Sequence, residues 1–177
     1  MAGTRILDGR TAYVTGGSAG IGAATVLALA RHGASIVLGA RRKDRLLAVQ
    51  QRIERDVPGA KVLALEVDVT NDLSLDEWID EAGALGPCSI LVNNAGLALG
   101  RPRVDELDVA EMDRVLDVNV RAAFVVTRKL VPGMIARASS SPGDVVMLGS
   151  VAATEPYANG SIYCASKAAL HAFSRSL

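Results

Sequence analysis

Ser150, Tyr163 and Lys167 form the densest group of proton-handling side chains in the sequence. Tyr163 and Lys167 stand at i and i+4, which on a helix puts phenol and ammonium on one face. An ammonium beside a phenol favours the phenolate, the property required of a proton donor and acceptor near neutral pH. Ser150 ends a short apolar run and could hydrogen-bond a reacting oxygen from the opposite side. An amphipathic helix with a surface tyrosine and lysine would read the same in isolation. What favours chemistry is the position of the group, after a strand edge on the side where a nucleotide loop also lies.

That loop is Thr15-Gly16-Gly17-Ser18-Ala19-Gly20-Ile21-Gly22, with glycines spaced GxxxGxG between an apolar run and a helical one. Small residues there let backbone N–H groups and the positive helix end approach a pyrophosphate. A tight turn is the plain alternative, and the strand before and helix after the loop argue for the nucleotide. No Lys-Ser/Thr pair closes it, so a Walker loop is excluded. Where a dinucleotide fold usually places a ribose-binding carboxylate, this chain has Arg41 and Arg42. Guanidinium groups cannot accept a hydrogen bond but can clamp a 2′-phosphate, so the expected cofactor is NADP(H). The competing reading is a solvated pair opening a helix.

Asp68, within Val67-Asp68-Val69-Thr70, is a candidate acceptor for the adenine amino group or a cap of the next turn. Asn93, Asn94, Ala95 and Gly96 end an apolar run at the edge where ligands bind in open α/β sheets, though two amides also form turns. Asn119 is the only fully polar member of the line Met112, Val115, Leu116, Asn119, Ala122 and Val126. A buried amide must be bonded, so it either repairs a helix irregularity, the reading the residue alone favours, or serves a site.

The elements that must position these residues follow a β-α-β-α pattern. Candidate strands are Thr11–Gly16, Ser35–Ala40, Lys61–Val69, Ser89–Asn93 and Asp144–Gly149, each apolar without strict alternation, which predicts buried parallel strands. The sets Ile21/Ala24/Leu27/Ala28, Leu46/Val49/Gln50/Ile53 and Leu75/Trp78/Ile79/Ala82 give each connecting helix one apolar stripe. Ala138–Gly143 reads as the turn into the fifth strand. The fold class expected is α/β, a doubly wound parallel sheet in a three-layer Rossmann arrangement, spanning residues 1–177 as one domain.

With 177 residues, half apolar and 3% aromatic, the chain can build one core from Ala, Val, Leu and Ile. Nineteen basic and nineteen acidic residues leave no net charge to attract nucleic acid or anionic lipid. Cys88 and Cys164 lack partners at metal-ligand spacing, and they fit a reducing cytoplasm. The first ten residues are too charged for a secretory leader, and no apolar run suggests a membrane span.

With these motifs assembled, the sequence resembles the short-chain dehydrogenase/reductase family over nearly its whole length. The family's TGxxxGxG reads Thr15–Gly22, its NNAG reads Asn93–Gly96, its YxxxK reads Tyr163–Lys167, and its serine and helix asparagine match Ser150 and Asn119. The resemblance implies Tyr163 as general acid/base, Lys167 as its partner and holder of the nicotinamide ribose, and Ser150 as orienter of the substrate carbonyl or alcohol. It also implies that Asn119 supports a proton relay through water. The cofactor would be held by Gly16, Ser18, Gly20, Ile21, Gly22, Arg41, Arg42, Asp68, Val69, Asn94, Ala95 and Gly96, together with Tyr163 and Lys167. Asn93–Gly100 and Pro156–Lys167 are similar to the subgroup oxidising small hydroxy acids with NADP.

The expected activity is NADP(H)-dependent hydride transfer to or from a small-molecule secondary alcohol or carbonyl, by a homodimer or homotetramer when intact. Family members continue beyond the helix bearing Tyr163 and Lys167. A chain stopping at Leu177 is therefore expected to be C-terminally incomplete, with its fifth strand left as an open edge. A catalytically inactive nucleotide-binding fragment or regulator on the same fold is the alternative. A sugar-nucleotide epimerase of the extended branch is disfavoured by the glycine spacing.

Overall fold

The computed structural model describes residues 5–177. The reading of the chain start rests partly on residues 1–4, which lie outside the described residues. Five strands, β1 (Thr11–Thr15), β2 (Ser35–Ala40), β3 (Val62–Glu66), β4 (Ile90–Asn93) and β5 (Asp144–Met147), form one parallel sheet in the order β3-β2-β1-β4-β5. The chain runs outward from β1 in one direction and then returns to pair β4 on its other side. The carboxyl ends of β1 and β4 therefore diverge, which opens the crevice where such sheets bind ligands.

Helices α1 (Gly20–Arg31), α2 (Lys43–Asp56), α3 (Asp72–Ala82), α4 (Val109–Leu116), α5 (Ala122–Ala136) and α6 (Ser161–Ser176) complete the layers. Alternate side chains of β1 enter opposite cores. Ala12 and Val14 pack with Val26, Leu27, Leu46 and Ile53 of α1 and α2. Tyr13 packs with Leu75 and Trp78 of α3 and with Val126 and Leu130 of α5. The central strands β1 and β4 are buried along their whole length and so on both faces.

Several expectations are corrected. β3 is shorter than Lys61–Val69, because the chain bends at Val67 to place Asp68 in a turn. β1 and β5 stop before Gly16 and Gly149, and β4 starts after Ser89. The outer strands are not buried throughout: Val146 is 47% exposed, since β5 has a neighbour on one side only among the described residues. The stripe on α1 is Val26, Leu27 and Ala30, whereas Ala24 and Ala28 face outward and Ile21 is 62% exposed beside the crevice. Period alone could not find that rotation in a helix made of small apolar residues. The stripes on α2 and α3 lie as the sequence predicts.

Candidate active site

The glycine loop is built against β4 before any ligand is considered. Thr15 Oγ1 accepts the backbone N–H groups of Asn94 and Ala95, each at 3.1 Å. The Asn94 amide donates back to the carbonyls of Thr15 (2.9 Å) and Gly16 (3.0 Å). This close approach dictates two of the glycines. A β-carbon on Gly16 would lie 2.8 Å from Asn94 Nδ2, and one on Gly22 would strike the Gly16 carbonyl oxygen. Gly20 is required for another reason: its φ of +54° is the left-handed region, while its missing β-carbon would face open space. So the pair Asn93-Asn94 braces strands as well as bordering the site. Asn93 does so on the other side, donating to Thr127 Oγ1 at 2.9 Å.

The crevice has a volume of about 510 Å³. Gly16, Ser18, Gly20, Ile21 and Gly22 form one wall, Asn94, Ala95 and Gly96 another, and Arg41 and Arg42 stand with Asp68 and Val69 at the end of β2 and β3. Every side chain assigned to the cofactor from sequence borders it except Tyr163 and Lys167. Ala19, Ala40, Val67, Leu97, Val118 and Leu148 also line it. They carry no chemical signal in the sequence, being small or apolar residues whose place is set by their neighbours. The first turn of α1 has no side-chain cap and no carboxylate, so its amide groups face the crevice without an internal competitor. Among residues lining the β2 end, the exposed guanidinium groups outnumber the single carboxylate of Asp68, and that carboxylate is already engaged. Asp68 Oδ1 accepts from Thr70 N (3.0 Å) and Thr70 Oγ1 (2.7 Å). Burial pushes the Asp68 carboxyl up, but these two bonds and the nearby Arg41 charge outweigh it and hold the group below its usual range. A glycine-walled crevice with an uncapped helix start and the exposed guanidinium groups of Arg41 and Arg42 fits a dinucleotide bearing an extra phosphate.

Lys167 is 4% exposed, and its Nζ donates to the Leu148 carbonyl at 2.8 Å. Burial alone pushes its ammonium below the ordinary range. The Nζ lies 5.8 Å from the Tyr163 ring centroid, and 3.6 Å from where a β-carbon on Gly96 would stand. Lys167 thus approaches Gly96 at the crevice edge, with the Tyr163 ring on the same helix face.

Asn119 is fully buried in a π-helical turn, Asp117–Arg121, between α4 and α5. Among the described residues its side chain bonds no backbone group of its own helix. The amide bonds both backbone groups of Leu97, from the N–H and to the carbonyl, at 2.8 Å each, and donates to Ser166 Oγ at 3.0 Å. Ser166 in turn donates to the Tyr163 carbonyl at 2.7 Å. The helix irregularity therefore holds the end of β4 and the start of α6 in register. Ser166 is the positioning residue that the sequence reading misses; its signal was there, since it falls between Tyr163 and Lys167 and three residues beyond Tyr163.

Ser150 is placed differently from the crevice residues. Its Oγ accepts from Ala152 N at 3.2 Å, capping the single turn Val151–Ala153. It borders a second hollow of about 270 Å³ with Met147, Thr154, His171 and Ser174. Among the described residues it makes no hydrogen bond to Tyr163. Its hydroxyl proton stays available to a substrate oxygen.

A family profile described as short chain dehydrogenase matches residues 10–177. The chain belongs to that family. It is 42% identical over 173 residues to a short chain dehydrogenase of Pseudocercospora fijiensis, covering 97% of this chain and 54% of that one. It is 33% identical to an NADP-dependent 3-hydroxy acid dehydrogenase of Schizosaccharomyces pombe, over 97% of this chain and 65% of the relative. The chain thus spans between 54% and 65% of the length of these curated relatives. Among solved structures, a metagenomic short-chain oxidoreductase in complex with NADP superposes with a TM-score of 0.89 at 33% identity, over 96% of this chain and 75% of that one. Serine dehydrogenase from Escherichia coli gives 0.84 at 30%, over 94% and 74%.

Proposed function

We propose that residues 1–177 form the nucleotide-binding and proton-transfer domain of an NADP(H)-dependent oxidoreductase acting on a secondary alcohol or carbonyl, with a small 3-hydroxy acid as the substrate class. The observation that carries this reading is the near-complete burial of Lys167, one helical turn beyond Tyr163 and against the Gly96 edge of the crevice. Burying an ammonium for one carbonyl bond is costly, and a structural role would be met more cheaply by an apolar side chain. The named activities of the yeast 3-hydroxy acid dehydrogenase and the bacterial serine dehydrogenase support the substrate class.

In this chemistry the nicotinamide supplies the hydride exchange. Tyr163 takes the alcohol proton on oxidation and returns it to the carbonyl oxygen on reduction. Lys167 stabilises the phenolate between these events and donates to the ribose. Ser150 donates its hydroxyl proton to the substrate oxygen. Asn119 acts through Leu97 and Ser166, keeping the two sides of the site in register. Arg41 and Arg42 hold the 2′-phosphate, and the wall from Gly16 to Gly22 receives the pyrophosphate with Ser18 and Ile21. Asp68 and Val69 border the adenine, while Asn94, Ala95 and Gly96 leave room for the adenosine and nicotinamide riboses.

Arg41→Asp in the full-length protein is expected to reverse the nucleotide preference. A charge-assisted contact is worth about 1.5–3 kcal/mol, so NADPH affinity should fall by about 10- to 100-fold while NADH affinity rises. Paired dissociation constants measured by calorimetry check this, and an unchanged order of the two would remove the assignment.

The outer faces of α5 and α6 point to a homodimer or homotetramer. Phe124 and Phe173 stack at 3.6 Å between centroids, Phe124 is 43% exposed, and Ala165, Ala168 and Ala172 are exposed beside them. Small residues flanking a stacked pair suit close packing against a two-fold copy. Light scattering of the full-length protein is expected to give at least twice the monomer mass, and Phe124→Glu to lower it. Among the described residues no helix is long and apolar enough to cross a membrane. Cys88 and Cys164 are both free and buried, and burial pushes the Cys88 thiol up to about 12. Inert, unpaired thiols agree with a cytoplasmic setting.

A further inference from the structure

The segments leaving β4 and β5 meet in a contact that the proton-transfer chemistry does not use. The guanidinium carbon of Arg101 lies 4.3 Å from the centroid of the Tyr157 ring. Tyr157 belongs to the connection from Ser150 to Tyr163, and its ring packs over Gly160 so closely that a β-carbon there would lie 2.6 Å from ring atom Cδ2. Gly160 N also donates to the Tyr157 carbonyl at 3.1 Å. The ring therefore sits at the residue preceding α6, less than one turn before Tyr163. On the other side of the contact, Leu97 stands four residues before Arg101 and is held through both backbone groups by Asn119. Arg101 thus links the segment anchored at Leu97 to the segment that leads into α6.

Its own chemistry is unspent. Arg101 is exposed and makes no ion pair or hydrogen bond among the described residues, whereas Arg103 is neutralised by Asp105 at 3.1 Å. Stacking uses the flat face of a guanidinium and leaves its edge N–H donors free, in the fork geometry that matches a carboxylate. The stacked ring also restricts the side chain before a ligand arrives, which lowers the entropy lost on binding.

We propose that Arg101, held on Tyr157, is a specificity-determining residue that takes the carboxylate of the alcohol substrate and so selects hydroxy acids over neutral alcohols. This rests on the reading of the chain as an NADP(H)-dependent oxidoreductase. The contact joins the segment that follows Gly96 to the segment that leads into Tyr163, and its exposure keeps a charged substituent held there near solvent.

The test uses the full-length protein with NADP+, comparing 3-hydroxybutyrate with the neutral 3-hydroxybutyramide. The parent is expected to prefer the acid. In Arg101→Gln the ratio of kcat/KM for acid over amide should fall by about tenfold or more, with the loss in KM. Tyr157→Leu should lower the same ratio by removing the platform, and Tyr157→Phe should keep it. Arg103→Gln, whose cation is already paired, should leave the ratio where it was. Calorimetric binding of butyrate to the NADP+ complex should weaken in parallel. A ratio that survives Arg101→Gln, or a parent preferring the amide or other neutral alcohols, overturns the role of Arg101 and leaves the oxidoreductase standing. A parent that oxidises no alcohol with NADP+ overturns both.

Discussion

Tyr163→Phe in the full-length protein is expected to lower kcat by about 10²–10⁴ while leaving NADPH affinity nearly unchanged. The substitution removes one hydroxyl and keeps the ring, so the packing of α6 and the Ser166 bond to the Tyr163 carbonyl persist. The loss should fall on kcat and kcat/KM together, because the proton is exchanged only in the transition state. Steady-state kinetics with a 3-hydroxy acid and a panel of simple alcohols, beside calorimetric binding of NADPH, check the expectation. Activity within about tenfold of the parent would show that another group moves the proton.

Lys167→Met is expected to behave differently, lowering kcat by at least about 10² and weakening NADPH binding as well, since in the proposed mechanism one ammonium serves both phenol and ribose. It also carries a stability signature. Burial holds the Lys167 ammonium below its reference value of 10.5 in the folded chain. The unfolded chain therefore binds the proton more tightly, and this residue makes stability rise with pH from its lowered folded value up to 10.5. Methionine removes that contribution. Cys88 and Tyr13 act in the opposite sense, since burial raises each to about 12 and their contribution is lost as pH climbs towards that value. Both remain in the variant, so the difference between parent and variant isolates Lys167. Denaturant unfolding across the alkaline range should show the stability of the parent relative to Lys167→Met improving with pH. A constant difference would mean that the ammonium is not held at a cost.

Much of the site was legible in the residues because its parts are local. The Gly16–Gly22 loop lies between a strand and a helix that their own patterns announce, and Tyr163 and Lys167 share a face through helix geometry alone. The stripes on α2 and α3 were readable for the same reason, since Leu46/Ile53 and Leu75/Trp78 differ sharply from their polar neighbours. On α1 nearly every residue is small and apolar, so the pattern held no contrast. Ile21, counted both in that stripe and among the cofactor residues, borders the crevice and lies outside the core.

What the sequence by itself determined was the alternation of strands and helices, the shared helix face of Tyr163 and Lys167, and the presence of Arg41 and Arg42 where a ribose-binding carboxylate usually stands. These follow from short-range geometry and residue chemistry. Only the tertiary structure decided that Gly16 and Gly22 are glycines because Asn94 crosses to meet them, that Asp68 spends one oxygen on Thr70, and that Asn119 joins Leu97 to Ser166 through a π turn. It also brought Arg101 onto Tyr157, residues far apart in the chain. Each of these depends on which strand ends lie side by side, and that is set by the packing of β1 against β4 and of α6 against the π turn, which no local pattern encodes.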